Sequence, residues 1–203
     1  MLDAMQASGG DDMDILVTGF EPFGGDSVNP SWEAAEHLPE IIDGHRVHKV
    51  RLPVVFGACG EQLRHAVEEI HPQVVIMCGV AGGRAEVTPE LLAVNWRMGS
   101  IPDNSGAHYT GERIAPDAPD AIMTTLPVTD MVAQMKDEGI PARLSLSAGA
   151  YVCNDLYFAA MRMQEELGFR GVFIHVPSFA ALSLEQDVSA LMVCIHTIIS
   201  SME

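Results

Sequence analysis

The stretch Asp14-Ile15-Leu16-Val17-Thr18, continued by Gly19-Phe20-Glu21-Pro22-Phe23-Gly24-Gly25 and then by Asn29-Pro30, decides the fold. Its first five residues read as a buried strand. Asn29 is an N-cap residue type and Pro30 suits a first helical position, so a helix is predicted from there to about His37. The same strand–loop–helix pattern then repeats. Val47, Val50 and Leu52 suit a strand, Cys59 to Ile70 a helix, and Val74–Met77 a short apolar strand. Helical spacing over Val128–Glu138 is stopped by Gly139-Ile140-Pro141. Leu144–Leu146 is strand-like, Cys153–Leu167 helical and Val172–Val176 a strand. Ser183-Leu184-Glu185-Gln186 resembles a capping box, opening a helix with Leu184, Val188, Leu191, Ile195 and Ile198 on one face. Strands alternating with helices predict an α/β chain, a single-domain three-layer α/β/α sandwich around a mostly parallel twisted sheet. The domain is predicted over residues 13–203. Residues 1–12, polar, acidic and glycine-containing, read as a disordered N-terminal extension. Met13 directly precedes the first strand, so Met1 and Met13 both remain open as translation starts. Asn95–Pro119 is long for an irregular stretch, and reads as a functional loop or as the seat of short extra strands.

Composition excludes several function classes. A chain of 203 residues, 48% hydrophobic and 19% charged, suits one well-buried domain. Its formal charge of −17, from 11 basic and 28 acidic residues, argues against nucleic acid or an anionic membrane surface as partner. No apolar run reaches the roughly 18–20 residues that span a bilayer. Met1 to Asp12 lacks the basic and apolar regions of a secretory signal, so a cytoplasmic location is expected. The four cysteines, Cys59, Cys78, Cys153 and Cys194, are scattered and contain no C-x-x-C pair, which fits reduced thiols.

In open α/β sheets ligands bind beyond the carboxyl ends of the strands, and four unusual segments fall there. One is the loop after the first strand, carrying Phe20 and Phe23. Another is Gly79-Val80-Ala81-Gly82-Gly83-Arg84-Ala85-Glu86-Val87-Thr88-Pro89-Glu90. The third is Ser147-Ala148-Gly149-Ala150-Tyr151-Val152-Cys153-Asn154, which places Cys153 at a helix start, where unpaired N–H groups favour a thiolate and can form an oxyanion hole. The fourth, Gly171-Val172-Phe173-Ile174-His175-Val176-Pro177, carries a lone histidine at a strand end. A cysteine and a histidine on adjacent strand ends are the parts of an activated thiol nucleophile. Each also has a plainer reading: Cys153 as a core thiol, His175 as a buried histidine bonded to a carbonyl. Glu90 fits the orienter of His175, and equally a solvated surface glutamate. Phe20 and Phe23 fit core packing or the walls of a small apolar pocket. The glycine-rich loops match neither P-loop nor dinucleotide spacing. The remaining histidines show no metal-ligand spacing with cysteine or acidic residues, so no metal is expected.

Gly19-Phe20-Glu21-Pro22-Phe23-Gly24-Gly25 with Asn29-Pro30, and Ala81-Gly82-Gly83-Arg84 with Thr88-Pro89-Glu90, resemble the pyrrolidone-carboxylate peptidase (pyroglutamyl peptidase I) family. So do Ile101-Pro102-Asp103-Asn104-Ser105-Gly106, Ser147-Ala148-Gly149 with Tyr151-Val152-Cys153-Asn154, and Phe173-Ile174-His175-Val176-Pro177. The resemblance implies a cysteine peptidase that removes an N-terminal pyroglutamyl residue from peptides through an acyl-enzyme. It implies Cys153 as nucleophile, His175 as general base and Glu90 as the acid completing the triad. Phe20 and Phe23 fall on the family's ring-binding aromatics, with Asn29 and Val80 as further substrate-binding positions. Val80 stands where some relatives carry a polar residue. A homotetramer without metal or cofactor is implied. The chain departs from the family pattern after Pro177, where Ser178-Phe179-Ala180-Ala181-Leu182 makes a short connection to the last helix. Two other readings are weighed beside this one: a nucleoside phosphorylase or hydrolase on a similar scaffold, and a non-catalytic pyroglutamate-binding module.

Overall fold

β1 (Asp14–Phe20) alternates its side chains between two buried faces: Ile15 and Val17 enter one hydrophobic core, Leu16 and Phe20 the other. A strand apolar on both faces needs helices above and below it, and the computed structural model, which describes residues 12–202, supplies them. α1 (Pro30–Glu36) starts as the sequence predicts, with the Asn29 side chain accepting from the Ser31 N–H and Pro30 at the first helical position. The chain continues through β2 (Ile41–Ile42), β3 (His45–Leu52), α2 (Ala58–Ile70) and β4 (Val74–Val80). Next come β5 (Thr88–Glu90), β6 (Leu92–Val94), β7 (Ala121–Met123), α3 (Val128–Asp137), α4 (Val152–Leu167), β8 (Arg170–Val176) and α5 (Leu184–Met202).

The main sheet has the order β2-β3-β1-β4-β8-β5. β3, β1, β4 and β8 run parallel, while the edge strands β2 and β5 are antiparallel to their neighbours. Side chains of α1, α3 and α5 fill the core on one face, and those of α2 and α4 the core on the other. This is the predicted three-layer sandwich. The expected disordered extension lies outside the described residues except for Asp12. The capping box is present in full: the Ser183 N–H donates to Gln186 Oε1 at 3.2 Å and the Gln186 N–H to Ser183 Oγ at 3.3 Å.

Two local readings change. Leu144–Leu146 is not a strand. Residues 141–145 run parallel to β5, but Pro89 has no N–H for the Arg143 carbonyl, so only isolated bridges at Val87–Ala142 and Glu90–Ser145 form. The stretch read as a loop ending in Thr88-Pro89-Glu90 is strand β5, with Thr88 opposite His175 and Glu90 opposite Phe173. Between Asn95 and Pro119 there is one bridge, Arg97–Glu112, and no strand. The β2–β3 hairpin turns at Asp43-Gly44, both at positive φ, a turn signal the periodicity reading passes over.

α5 also buries an acid. Asp187 is fully buried, and neither carboxylate oxygen has a hydrogen-bond partner among the described residues. Burial pushes its carboxyl up to about 7. Because the folded value lies above the unfolded one, its contribution is full at low pH and is lost between the ordinary aspartate value of about 3.9 and about 7. Asp187→Asn is therefore expected to flatten that slope and raise Tm at pH 8 by roughly 3–6 °C. Thermal unfolding at pH 5 and pH 8 checks this, and an unchanged pH dependence in the variant contradicts it.

Candidate active site

The chain leaves β1 toward β3 on one side and returns to β4 on the other, so the connections diverge at the β1–β4 pair. A crevice opens at the carboxyl ends of such strands. A cavity of about 210 Å³ lies there, with Phe20 from the end of β1, Val80 from the end of β4, His175 from β8 and Cys153 from the first turn of α4 on its walls. The four strand-end segments singled out from the sequence all meet there.

Glu90 is not a solvated surface glutamate. It is fully buried, and its Oε1 lies 2.8 Å from His175 Nδ1 and 2.6 Å from Arg84 Nη1. The antiparallel pairing of β5 with β8 sets this contact, since it carries the acid onto the strand that bears the histidine. Burial alone raises the Glu90 carboxyl, but the bonds and charge of His175, with Ser145 and Arg84, hold it below the usual carboxylate value. His175 is also held below its ordinary value. Burial is the largest cause, Glu90 opposes it and the Arg84 charge adds to it. The pair is thus an ionised carboxylate and a neutral imidazole. With Nδ1–H donating to Glu90, Nε2 is left as the free basic nitrogen.

Cys153 sits in the first turn of α4, behind Tyr151 in extended backbone and Gly149 at φ +83°. The N–H groups of Asn154 and Asp155 close onto the Tyr151 carbonyl, whereas those of Val152 and Cys153 have no backbone acceptor among the described residues. They are the free donors a helix start always leaves. The helix end does favour the thiolate through the Cys153 N–H, and Arg84 assists. Burial outweighs both and, with the Glu90 charge, pushes the thiol up to about 12. The expectation of a resting thiolate therefore gives way to a neutral thiol on the wall of the same cavity as a neutral imidazole.

β4 passes so close that a Cβ at Gly79 would stand 2.8 Å from Cys153 Sγ and 2.7 Å from Phe173 Cζ. Only glycine fits there. The long segment after β6 lines none of the cavity and instead braces its walls. The Met98 N–H reaches the Ala150 carbonyl at 2.8 Å, the Tyr151 hydroxyl the Pro102 carbonyl at 3.0 Å, and the Asn154 amide the Val94 and Trp96 carbonyls.

Of the expected substrate positions, Phe20 is buried and Phe23 is half-buried, its ring 6.4 Å from that of Tyr151. Val80 and Asn29 complete that wall. The Asn29 amide is already engaged, donating to the Glu21 carbonyl at 3.0 Å and accepting from the Ser31 hydroxyl at 2.8 Å. Sequence reading gave no role to Arg84, Tyr151, Val54 or Ala148, which also line the cavity. Arg84 had a signal, the Gly82-Gly83-Arg84 turn six residues before Glu90, and Ala148 and Tyr151 had one in their place within the Cys153 segment; Val54 had none. Away from the cavity lining, α1 brings Glu33, Glu36 and the neighbouring His37 within 4.8 Å of one another, a grouping the spacing search missed.

The pyroglutamyl peptidase family model matches residues 13–203. The pyrrolidone-carboxylate peptidase of Lactobacillus acidophilus is 43% identical over 167 residues, 81% of this chain and 84% of that one. That of Lactobacillus helveticus is 39% identical over 196 residues, 91% of this chain and 98% of that one. Among solved structures, pyroglutamyl peptidase I of Bacillus amyloliquefaciens superposes with a TM-score of 0.90 at 37% identity, covering 93% of this chain and 98% of that one. Pyrrolidone carboxyl peptidase of Pyrococcus furiosus gives 0.90 at 36%, covering 94% and 100%.

Proposed function

The chain belongs to the pyroglutamyl peptidase family, and from that membership we propose that Cys153, His175 and Glu90 carry its reaction, with Phe20 and Phe23 holding the lactam ring. It is a cysteine-type peptidase that removes N-terminal pyroglutamate. The observation that carries the assignment is the buried His175–Glu90 pair at 2.8 Å opening on the same cavity as Cys153. Nε2 of His175 takes the thiol proton as Sγ attacks the pyroglutamyl carbonyl. The free N–H groups of Val152 and Cys153 receive the developing oxyanion. His175 then protonates the leaving amine and later activates the water that clears the acyl-enzyme. Glu90 keeps the proton on Nδ1 and stabilises the imidazolium formed in each step.

Selectivity follows from the walls. Pyroglutamate is a small uncharged lactam, and a cavity of phenyl rings and Val80 accepts it. A free N-terminal ammonium entering the same space loses its hydration without gaining a partner. Asn29 shapes the wall through its bonds within the loop rather than selecting the ring. Neither a nucleoside phosphorylase nor a non-catalytic binding module gains support, since every relative named above is a peptidase. The test is mass spectrometry on matched peptides beginning with pyroglutamate, proline or glutamine. Only the pyroglutamyl peptide is expected to lose its first residue, and equal cleavage of the prolyl peptide overturns the reading.

The pH profile offers a second check. Because the folded His175 value is lowered, the base stays unprotonated to pH values below the ordinary 6.5, and the acid limb of kcat/KM is expected below it. Arg84→Gln removes a charge that disfavours the imidazolium, so it is expected to move that limb upward and to lower the plateau. A limb unmoved in the variant contradicts the electrostatic role.

No helix among the described residues is long and apolar enough to cross a membrane. A cytoplasmic homotetramer is the assembly we infer. The tetramer is what the family resemblance implies; the four free cysteines fit a reducing compartment, and the exposed apolar side chains of Trp96, Met98, Ile101 and Leu146 offer surface for a contact between subunits. Sedimentation velocity tests it, and a monomer at micromolar concentration contradicts it.

A further inference from the structure

Cys153 and Tyr157 stand one turn apart on α4, so they share a face of the helix. Tyr157 is fully buried and is not part of the cavity wall. Its hydroxyl donates to the Glu90 carbonyl at 3.0 Å. Burial pushes that hydroxyl further above its ordinary value, so it keeps its proton and remains a donor across the working pH range. The ring of Tyr157 lies 5.8 Å from that of Phe173, and the Phe173 ring lies 4.8 Å from that of His175. Phe173 is also the residue paired with Glu90 across β5 and β8. One buried side chain thus leaves the helix that carries Cys153 and meets both strands that carry Glu90 and His175. β5 has few other holds. It is three residues long, stands at the sheet edge, and its central residue, Pro89, has no N–H to give to a ladder. On its outer side the chain makes only the isolated bridges Val87–Ala142 and Glu90–Ser145. Yet Glu90 Oε1 must be placed closely, because it serves His175 Nδ1 at 2.8 Å and Arg84 Nη1 at 2.6 Å at once.

We propose that Tyr157 is a positioning residue for the Glu90–His175 pair: by holding the Glu90 carbonyl it sets β5 at the height on β8 where the carboxylate meets the imidazole. The proposal rests on the pyroglutamyl peptidase reading above and deepens it. Removing the hydroxyl leaves the ring in its place but takes a buried donor from the Glu90 carbonyl, and the strand is then free to slip. Two charged groups act on His175. Glu90, from β5, favours the imidazolium, and Arg84, from the turn before β5, disfavours it with the smaller effect. The Cys153 thiol, on α4, is neutral. Loosening the Glu90 contact therefore lowers His175 further. The acid limb of kcat/KM moves to lower pH while the plateau falls, because the base is weaker and less well aligned. That direction is opposite to the one expected of Arg84→Gln.

The experiment measures kcat and KM for a pyroglutamyl fluorogenic amide from pH 5 to pH 9, with thermal unfolding in parallel. The proteins are wild type, Tyr157→Phe, Glu90→Gln and the double variant. In Tyr157→Phe, kcat is expected to fall about tenfold with KM unchanged, the usual size of coupling within one buried hydrogen-bond network. In the Glu90→Gln background the same substitution should cost less than about twofold, since the contact it supports is already gone. A Tyr157→Phe variant that keeps wild-type kcat and loses only Tm makes the residue a packing group and overturns the proposal. So does an acid limb that stays in place, or a tenfold loss that persists in the Glu90→Gln background. Each of these leaves the parent reading intact, whereas a folded wild type without turnover overturns both.

Discussion

His175→Ala is expected to lower kcat/KM for a pyroglutamyl arylamide by roughly a thousandfold at pH 7.5. A thiol pushed up to about 12 is almost wholly protonated at that pH, so attack depends on a base that removes the proton as the bond forms. The residual activity of the variant should then climb with pH, close to tenfold per unit into the alkaline range, because the thiolate must form unaided. Wild type should instead level off above its acid limb. Glu90→Gln should cost between a hundredfold and ten-thousandfold, since an amide neither stabilises the imidazolium nor holds the Nδ1 tautomer. A His175→Ala variant with a flat alkaline profile would show that Cys153 is already ionised at rest.

Gly79→Ala is the second large effect. The added methyl group would stand 2.8 Å from Cys153 Sγ and 2.7 Å from Phe173 Cζ, so the thiol, the ring or the strand end must move. Displacing the thiol by about 1 Å from its line of attack is expected to cost about a hundredfold in kcat/KM. Overpacking should also destabilise the fold by about 1–3 kcal/mol. Steady-state kinetics with parallel thermal unfolding checks both. Activity within twofold of wild type would mean that the strand end yields freely and does not fix the thiol.

The layered fold was legible because its elements carry local signals. Asn29-Pro30 opens α1, the Ser183–Gln186 box opens α5, and doubly apolar runs mark β1, β4 and β8. The short edge strand β5 was not, because three residues containing a proline have no period to read and gain their strand geometry only from β8. Leu144–Leu146 failed in the opposite sense: it is apolar enough for a strand, but its neighbour Pro89 cannot complete the ladder.

The site divides in the same way. Cys153 and His175 could be read from their places at a helix start and a strand end. From its own residues Glu90 is indistinguishable from a solvated glutamate after a glycine-rich loop, and only the family resemblance put it forward as the acid of the proposed triad. Its burial, its bond to His175 and its ion pair with Arg84 all follow from β5 lying against β8. Gly79, Tyr151 and Tyr157 likewise gain their places only through contacts between segments far apart in the chain. The high thiol value shows where local reasoning overreached. A helix N-terminus lowers a thiol, but the burial that surrounds this one is the larger effect.

The central claim is tested most directly by hydrolysis of a pyroglutamyl fluorogenic amide, with reductant and without added metal, by wild type and Cys153→Ala side by side. The account predicts turnover by wild type and none above background by the variant. Turnover surviving in Cys153→Ala, or a folded wild type that releases no fluorophore, would contradict it.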